Sequence, residues 1–221
     1  NHTLQAVLIR RGIDLNNEFD EYITPSDLPN PEEHFDELSI ATQRIITACL
    51  KKEKIAICGD YDADGITSTV LLVELLSILG AIVKPFIPSR QDEGYGLNEN
   101  MINNINNQGI KLVITVDNGI SAFAAINKSV DLGIDLIITD HHKIPDKKLN
   151  IFSLIHPEKT PINSPYKYLA GVGIAYLLAK NICEKIDYDI NISTANIFFC
   201  IGTIADMAPL KGANRKWLKE F

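Results

Sequence analysis

The chain has few cysteines and no long apolar segment, and each shortage excludes a class of protein. Its 4 cysteines, Cys49, Cys58, Cys183 and Cys200, include no CxxC pair, which excludes a zinc knuckle and a disulfide framework. Three of them lie in apolar surroundings, so we expect buried thiols in a reducing, cytoplasmic compartment. No apolar run reaches the roughly 18 residues of a membrane helix, and no secretory signal pattern opens the sequence.

Positive charge is also scarce. The 221 residues carry 21 Lys and Arg against 28 Asp and Glu, a net charge of −7, which argues against a wholesale basic nucleic-acid binder. A hydrophobic content of 46% and a charged content of 22% are typical of a globular protein of one large or two small domains. The chain shows no internal repeat, and because Asn1 is not an initiator Met we expect it to be part of a longer chain.

Short apolar strands alternate with helices along the middle of the chain. Strands are predicted at 55–58, 82–87, 111–116, 135–139 and 151–155, with helices at 67–79, 98–107 and 122–132 between them. This order predicts an α/β fold with a mostly parallel sheet flanked by helices. Because the strands are apolar throughout, we expect helices to cover both faces of the sheet.

Helical segments flank this central part. Residues 1–30 are predicted to form an N-terminal arm of short helices, followed by a helix at 32–52. Its apolar stripe consists of Leu38, Ala41, Ile45, Ala48 and Cys49. Helices at 169–186 and 193–204 make up a helical C-terminal part.

Polar side chains gather where three predicted strands end. They are Asp60, Asp62 and Asp64 after the first strand, Asp117 after the third, and Asp140, His141 and His142 after the fourth. The carboxyl ends of parallel strands meet at one edge of a sheet, where ligands bind. Asp206, in GTIADMAPL, would join them if the last predicted helix packs back on the sheet.

Such a cluster calls for cations, because neighbouring carboxylates raise each other's pKa. Aspartate and histidine without cysteine favour Mn²⁺ or Mg²⁺, and the number of donors suggests two ions placed for phosphoryl displacement. Each residue alone has a plainer interpretation: an Asp at a strand end caps the next helix or forms a turn, and paired histidines lie on a surface. Their occurrence at three strand ends favours a functional site.

The motifs GDYDADG, VDNG, TDHH and GTIADMAPL, in this order, resemble the DHH phosphoesterase superfamily. GDYDADGITST, IPSRQDEGYGL, LAGVGIAYLLAK and the N-terminal RRGID and PEEHFDEL are similar to the RecJ family within it, so the resemblance covers nearly the whole chain. It implies a DHH catalytic domain at 31–221 after the arm at 1–30. The family's glycine-rich DHHA1 domain and the OB-fold of RecJ proteins are not recognisable before Phe221.

The resemblance implies a role for each residue of the cluster. Asp117 matches the position that bridges two metal ions, and Asp60 matches a weak ligand or an outer contact. His142 matches a histidine that contacts the scissile phosphate or assists the leaving group. Asp140 matches an aspartate that orients the histidines by hydrogen bonding. The remaining implied metal ligands are Asp62, Asp64, His141 and Asp206.

Four further residues are implied contacts of the substrate. Arg90 matches an arginine aimed at a DNA phosphate, although it could instead pair with Asp92 or Glu93. Tyr95 could stack on a base or pack within its loop. Gly171 and Gly173 would let a helix start approach a phosphate, or serve helix packing.

Two positions depart from the family patterns. Cys58 stands where related pyrophosphatases carry a histidine, so we expect a buried thiol with a thiolate ligand as the alternative. His156 stands where RecJ proteins often carry asparagine, and we expect a hydrogen-bonded loop histidine with a polar lining group of the site as the alternative.

The implied function is a metal-dependent 5′→3′ exonuclease that hydrolyses phosphodiester bonds of single-stranded DNA in repair and recombination. The implied cofactors are two divalent ions, Mn²⁺ first and Mg²⁺ second, and the implied partners are a DNA 5′ end, single-strand-binding protein and a helicase. One alternative is another DHH phosphoesterase acting on short oligonucleotides, cyclic dinucleotides or pyrophosphate. The others are a non-catalytic Cdc45-like scaffold, which would have lost ligands, and a phospho-acceptor domain, which would need a lysine at a later strand end.

Overall fold

A computed structural model describes residues 2–14, 19–88, 96–188 and 193–221. Five strands form one sheet: β1 (Lys54–Cys58), β2 (Ile82–Phe86), β3 (Leu112–Val116), β4 (Asp135–Thr139) and β5 (Ser153–Ile155). Their order is β2-β1-β3-β4-β5, and every neighbouring pair is parallel. The predicted α/β fold with a parallel sheet is confirmed.

Helices precede, separate and follow these strands along the chain. They are α1 (His2–Arg10), α2 (Phe19–Ile23), α3 (Leu38–Leu50), α4 (Ala63–Ile78), α5 (Glu99–Asn107), α6 (Phe123–Asp131), α7 (Gly171–Lys185), α8 (Ser193–Ala205) and α9 (Gly212–Glu220). The helices follow local signals: Asp62 and Asn98 cap α4 and α5 through side-chain bonds to Gly65 N–H and Met101 N–H. Gly80 and Gly133 end α4 and α6 in the left-handed conformation, at φ 86° and 59°.

Alternate residues of each central strand enter two different cores. Ile55 and Ile57 of β1 pack with α3, α4 and α7, and α8 packs against α4 and α7. Ala56 and Cys58 face the opposite side, which α5 and α6 cover. Helices therefore cover both faces, as the apolar strands predict.

One strand departs from that expectation. β2 lies at the edge of the sheet, and Ile82 is 48% exposed. Pro85 also lies in β2, where an edge position tolerates its missing N–H. The prediction that every strand is buried on both faces is therefore wrong for β2.

The helix predicted at 32–52 begins later. Pro31–Glu33 form a separate 3₁₀ turn, and α3 starts at Leu38, although its predicted apolar stripe is buried. The interruption arises because Phe35 turns into the core and Glu37 contacts β5. The Glu37 carboxylate accepts a hydrogen bond from Leu154 N–H (2.6 Å), and its carbonyl accepts one from the Ser153 hydroxyl.

Helix α9 was not predicted. Its Trp217 is buried among aromatic rings, with Tyr176 and Phe199 at centroid distances of 5.1 and 5.4 Å.

Cys49, Cys58 and Cys183 are buried free thiols, as predicted, and Cys200 is half-buried. Over the described ranges, none of the helices has both the length and the apolar character needed to cross a membrane.

The strand order creates a crevice between β1 and β3. The chain leaves β1 through α4 on one face of the sheet and leaves β3 through α6 on the other. Loops that depart to opposite faces leave an opening at the carboxyl ends of the two strands, where ligands bind in open α/β sheets. The acidic motifs follow these strand ends.

Candidate metal centre

The loops after β1, β3 and β4 bring the predicted ligands together, and Asp206 reaches them from the end of α8. Within the described part of the chain, three groups hold ligand atoms that lie within 4.8 Å of one another. They are Asp60, Asp62 and Asp117; Asp64, His141 and Asp206; and Asp117, His141 and His142. Every residue predicted to bind metal belongs to at least one group.

The loop after β1 places its three carboxylates differently. Asp62 is exposed and accepts a hydrogen bond from Gly65 N–H (2.9 Å), so the capping interpretation also holds for it. Asp60 is 1% exposed, and its Oδ1 has no hydrogen-bond partner among the described residues. Asp64 is 2% exposed and is held from the other side of the site by the start of α7.

Asp64 binds the N-terminus of α7 with both carboxylate oxygens. Gly171 N–H donates to Oδ2 and Val172 N–H donates to Oδ1, each at 2.7 Å. A helix N-terminus favours a negative charge, so these contacts hold Asp64 in place. The sequence showed the glycines of α7 but not this use of their backbone.

The approach of α7 requires glycine at position 171. A Cβ there would lie 2.5 Å from Asp117 Cβ and 2.9 Å from Asp64 Oδ2, both too close. At Gly173 a Cβ would instead lie 2.9 Å from Leu169 Cδ2. The structure thus places Gly171 at the site and Gly173 against Leu169, and a phosphate contact by either stays a prediction.

Replacing Gly171 with alanine is expected to lower the free energy of unfolding by about 1–3 kcal/mol, because overpacking moves α7 or the two carboxylates. It should also weaken Mn²⁺ binding, measured by isothermal titration calorimetry. Gly109→Ala is the control: its Cβ meets open space, so it costs about 1–2 kcal/mol of left-handed backbone and leaves Mn²⁺ binding unchanged. Equal Mn²⁺ affinity in both variants would contradict the role of Gly171.

His141 lies among three carboxylates of the site. Its Nε2 is 3.0 Å from Asp117 Oδ1 and 3.8 Å from Asp64 Oδ2, and its Nδ1 is 4.0 Å from Asp206 Oδ2. Asp117 adopts a left-handed backbone conformation (φ 60°) directly after β3 and does not cap α6, whose N-cap is Ala122. This rules out the capping interpretation for Asp117.

Asp140 holds the ring of His142 but only the backbone of His141. Its Oδ1 lies 2.8 Å from His142 Nδ1 and accepts hydrogen bonds from the N–H groups of both histidines. Its Oδ2 accepts a hydrogen bond from Ile120 N–H (2.9 Å) in the loop after β3. A contact between His142 and a substrate would therefore use Nε2, and the side chain is 47% exposed.

His156 and Cys58 are buried next to the site, and each hydrogen-bonds one of its residues. Glu158 N–H donates to His156 Nδ1 (3.1 Å), so the other ring nitrogen carries the proton and Nε2–H donates to the His142 carbonyl (2.7 Å). His156 is thus the hydrogen-bonded histidine that we expected. Cys58 is fully buried in β1, and burial raises the pKa of its thiol, which disfavours a thiolate ligand.

The electrostatics of the crevice favour a cation. Burial raises the pKa of Asp117 to about 7 and that of Asp64 to about 6, and it also raises the pKa values of Asp60 and Asp206. Although burial opposes its protonation, His141 has its pKa raised to about 9, because it hydrogen-bonds Asp117 amid further carboxylates. Without a metal, protons offset part of the negative charge of this cluster.

Asp140 behaves differently from these carboxylates. Burial alone would raise its pKa, but hydrogen bonds from the His142 ring and from the backbone N–H groups of Ile120 and His142 hold the pKa below its usual value. Asp140 therefore stays ionised next to His142. The hydrogen bond to Asp140 raises the pKa of His142 in turn.

Two predicted substrate contacts, Arg90 and Tyr95, lie outside the described residues.

The sequence did not predict the role of Asn118, which supports the site. Asn118 is 1% exposed and hydrogen-bonds three segments around the crevice. The VDNG motif, in which Asn118 directly follows Asp117, is the feature of the sequence that indicates this role. A buried asparagine beside an acidic residue at a strand end must find polar partners.

Known proteins are similar to this chain. The family model described as DHH family, N-terminal domain, matches residues 54–203. The single-stranded-DNA-specific exonuclease RecJ of Bacillus subtilis is 37% identical over 218 residues, covering 95% of this chain and 26% of that protein. The chain thus spans about a quarter of that relative's length.

Two solved structures are also similar. A crystal structure of exonuclease RecJ bound to manganese has a TM-score of 0.77 at 35% identity, covering 84% of this chain and 47% of that one. RecJ of Thermus thermophilus in complex with Mg²⁺ has a TM-score of 0.59 at 32% identity, covering 88% of this chain and 24% of that one. With the family model matching more than half of its residues, the chain belongs to the DHH family.

Proposed function

We propose that this chain is the DHH catalytic domain of a metal-dependent exonuclease that hydrolyses phosphodiester bonds of single-stranded DNA from the 5′ end, in repair and recombination. The observation that carries the proposal is the meeting of three donor groups at the β1–β3 crevice, with Asp117 in two of them. The substrate class comes from the RecJ relatives, which are named as single-stranded-DNA-specific exonucleases. The domain is proposed to comprise residues 31–221, after an arm at 1–30.

The donor set fits two divalent ions. Asp60, Asp62 and Asp117 would hold one ion, and Asp64, His141 and Asp206 would hold the other. The bridging role of Asp117 that the resemblance implies is supported by its place next to the second group, where its Oδ1 lies 3.0 Å from His141 Nε2. The buried Oδ1 of Asp60, which has no hydrogen-bond partner among the described residues, and the raised pKa values of Asp64 and Asp117 support this assignment, because each needs a compensating positive charge. Carboxylate and imidazole donors suit Mn²⁺ and Mg²⁺, the ions named with the two RecJ structures.

When bound, such ions neutralise the scissile phosphate and lower the pKa of the attacking water. The residues of the chain position and transfer protons around that centre. Asp140 fixes the His142 ring, and its charge favours the protonated imidazole, so His142 can donate a hydrogen bond to a phosphate oxygen or a proton to the leaving oxygen. His156 fixes the backbone of His142 from the end of β5.

The proposed metal site accounts for the acidity of the chain. Six of its acidic residues, Asp60, Asp62, Asp64, Asp117, Asp140 and Asp206, lie at this one site, which two divalent ions would make attractive to an anionic substrate. The net charge of −7 therefore does not argue against a nucleic-acid substrate. A non-catalytic scaffold is disfavoured, because every predicted metal donor is present and the donors lie together.

The proposal also includes protein partners and a cellular compartment. Single-strand-binding protein and a helicase are the proposed partners, because a 5′-end exonuclease specific for single strands needs a source of unwound DNA. The proposed compartment is the reducing cytoplasm, which suits the buried free thiols Cys49, Cys58 and Cys183.

A substrate panel with the natural full-length protein tests the proposed function. We expect release of mononucleotides from 5′-phosphorylated single strands with Mn²⁺, and none from blunt duplex or after EDTA treatment. Faster hydrolysis of dinucleotides, cyclic dinucleotides or pyrophosphate than of long single strands would favour another DHH phosphoesterase. Undiminished activity after exhaustive metal removal would contradict the proposal.

Stabilisation by Mn²⁺ is expected to depend on pH. Below about pH 6 Asp64, Asp117 and His141 are all protonated in the metal-free chain, so an ion must displace protons from each of them. Near pH 8 both carboxylates are ionised, and of these three groups only His141 still holds a proton that an ion must displace. The rise in Tm on adding Mn²⁺ should therefore be several degrees larger near pH 8 than near pH 5.5, measured by differential scanning fluorimetry. An equal rise at both pH values would contradict the assigned donors.

A further inference from the structure

Asn118 lies at the β1–β3 crevice, next to the shared donor Asp117. Its Nδ2 donates to the carbonyl of Cys58 at the end of β1 and to the carbonyl of Val116 at the end of β3, each at 2.9 Å. Its Oδ1 accepts a hydrogen bond from Leu97 N–H at 3.0 Å. Because Leu97 N–H can only donate, the amide orientation is fixed, and one side chain joins three chain segments.

The turn that Asn118 completes is held on both sides. Asp117 N–H donates to the Thr139 carbonyl (3.0 Å), which extends the pairing of β3 with β4 by one residue. On the opposite side the chain diverges from β1, and among the described contacts the Asn118 amide makes the link to the Cys58 carbonyl. Asp117 takes its left-handed conformation (φ 60°) between these two attachments.

The bond to Leu97 also shapes the space beside His142. A cavity of about 370 Å³ lies there, lined on one side by Gly96 and Leu97 and on the other by the turn at 119–122, with Asp140 and His142. Gly96 is in the left-handed conformation (φ 64°), and a Cβ there would lie 3.1 Å from Asn118 Cβ. The two walls therefore meet at the Asn118 side chain.

We propose that Asn118 is a positioning residue that locks the turn carrying Asp117 across the β1–β3 crevice and docks Gly96 and Leu97 against it. Metal affinity and the shape of the cavity beside His142 then depend on one buried amide. The inference rests on the proposed function for the metal site itself. It adds that the geometry of the shared donor is set by a residue that offers no ligand to the metal.

The test measures Mn²⁺ affinity by isothermal titration calorimetry and Tm by circular dichroism, in the natural full-length protein and its variants. Asn118→Ala should weaken Mn²⁺ binding by about 10–100-fold, the usual loss when an outer support of a metal site is removed. Asn98→Ala is the matched control, because it removes the N-cap of the neighbouring helix α5 without touching the crevice. It should lower Tm while Mn²⁺ affinity stays within about twofold.

A second variant, Asn118→Asp, distinguishes an effect of residue positioning from an effect of charge. It also keeps the proposal testable if Asn118→Ala does not fold. Asn118→Asp keeps the acceptor for Leu97 N–H but loses the two donated bonds, and it adds a negative charge beside the metal donors. Charge alone would tighten Mn²⁺ binding near pH 8, whereas loss of positioning should weaken it. A rise in KM for a 5′-phosphorylated single strand should accompany the weaker binding, measured with saturating Mn²⁺.

The outcomes are distinct. Mn²⁺ affinity of Asn118→Ala within twofold of the unmodified protein, or unchanged or tighter binding by Asn118→Asp, overturns the positioning role and leaves the proposed function intact. Absence of Mn²⁺ binding by the unmodified protein overturns both. Weaker binding in the two Asn118 variants, with normal binding in Asn98→Ala, supports the proposal.

Discussion

Asp117→Asn is expected to reduce Mn²⁺-dependent cleavage of single-stranded DNA by the natural full-length protein by on the order of a thousandfold or more. Asp117 belongs to two of the three donor groups in the crevice, as His141 does, and an amide supplies no charge to balance a divalent ion. The replacement is nearly isosteric, so the packing of Asp117 Cβ against Gly171 is preserved. The rate of mononucleotide release at saturating Mn²⁺ is the measurement.

Asp131→Asn provides the matched control, since Asp131 is an exposed carboxylate at the end of α6, the helix that follows the same strand. Its rate should remain within about twofold of the unmodified protein, as for most surface substitutions. Circular dichroism should show both variants folded. If Asp117→Asn retains more than about a tenth of the activity, Asp117 is not the shared donor.

The two adjacent histidines should separate metal binding from catalysis. His141→Gln is expected to weaken Mn²⁺ binding, because His141 Nε2 lies 3.0 Å from Asp117 Oδ1 in the middle of the donor groups. His142→Gln should leave Mn²⁺ affinity within about threefold but lower kcat by about 10²–10⁴-fold, the usual contribution of a positioned general acid or base. Calorimetry and steady-state kinetics give the two quantities.

Each histidine variant is the control for the other, because the rings lie 4.6 Å apart and share one loop. Loss of Mn²⁺ affinity in His142→Gln with normal kcat at saturating Mn²⁺ would make His142 a metal ligand instead. Unchanged Mn²⁺ affinity in His141→Gln would remove His141 from the donor set. Either result would leave the fold and the family assignment unaffected.

The parallel sheet and the location of the site followed from the sequence. Apolar runs such as IAIC and LVITV, each followed by an acidic turn, are fully buried in strands whose carboxyl ends must meet at one edge. The composition of the cluster was readable for the same reason: Asp and His without Cys already restrict the chemistry to hard or borderline divalent ions. These features depend on local pattern and on the general geometry of parallel sheets.

Other boundaries depended on contacts between distant residues. Helix α3 begins at Leu38 rather than near Glu32 because Glu37 bonds to β5, more than a hundred residues later. The exposure of β2 follows from its place at the edge of the sheet, a position that Pro85 favours but that the sequence alone does not fix. Helix propensity and hydrophobic period contain no information on such long-range contacts.

The sequence alone determined which side chains could form the site, and the tertiary structure decided how each one is held. Strand-end motifs put Asp64, Asp117 and His141 at one sheet edge. The bonds from the start of α7 to Asp64, and those of Asn118 to β1 and Leu97, join segments far apart in the chain. Such contacts exist only once the helices have packed, because burial obliges each polar group to find a partner, and the packing decides which partner is within reach.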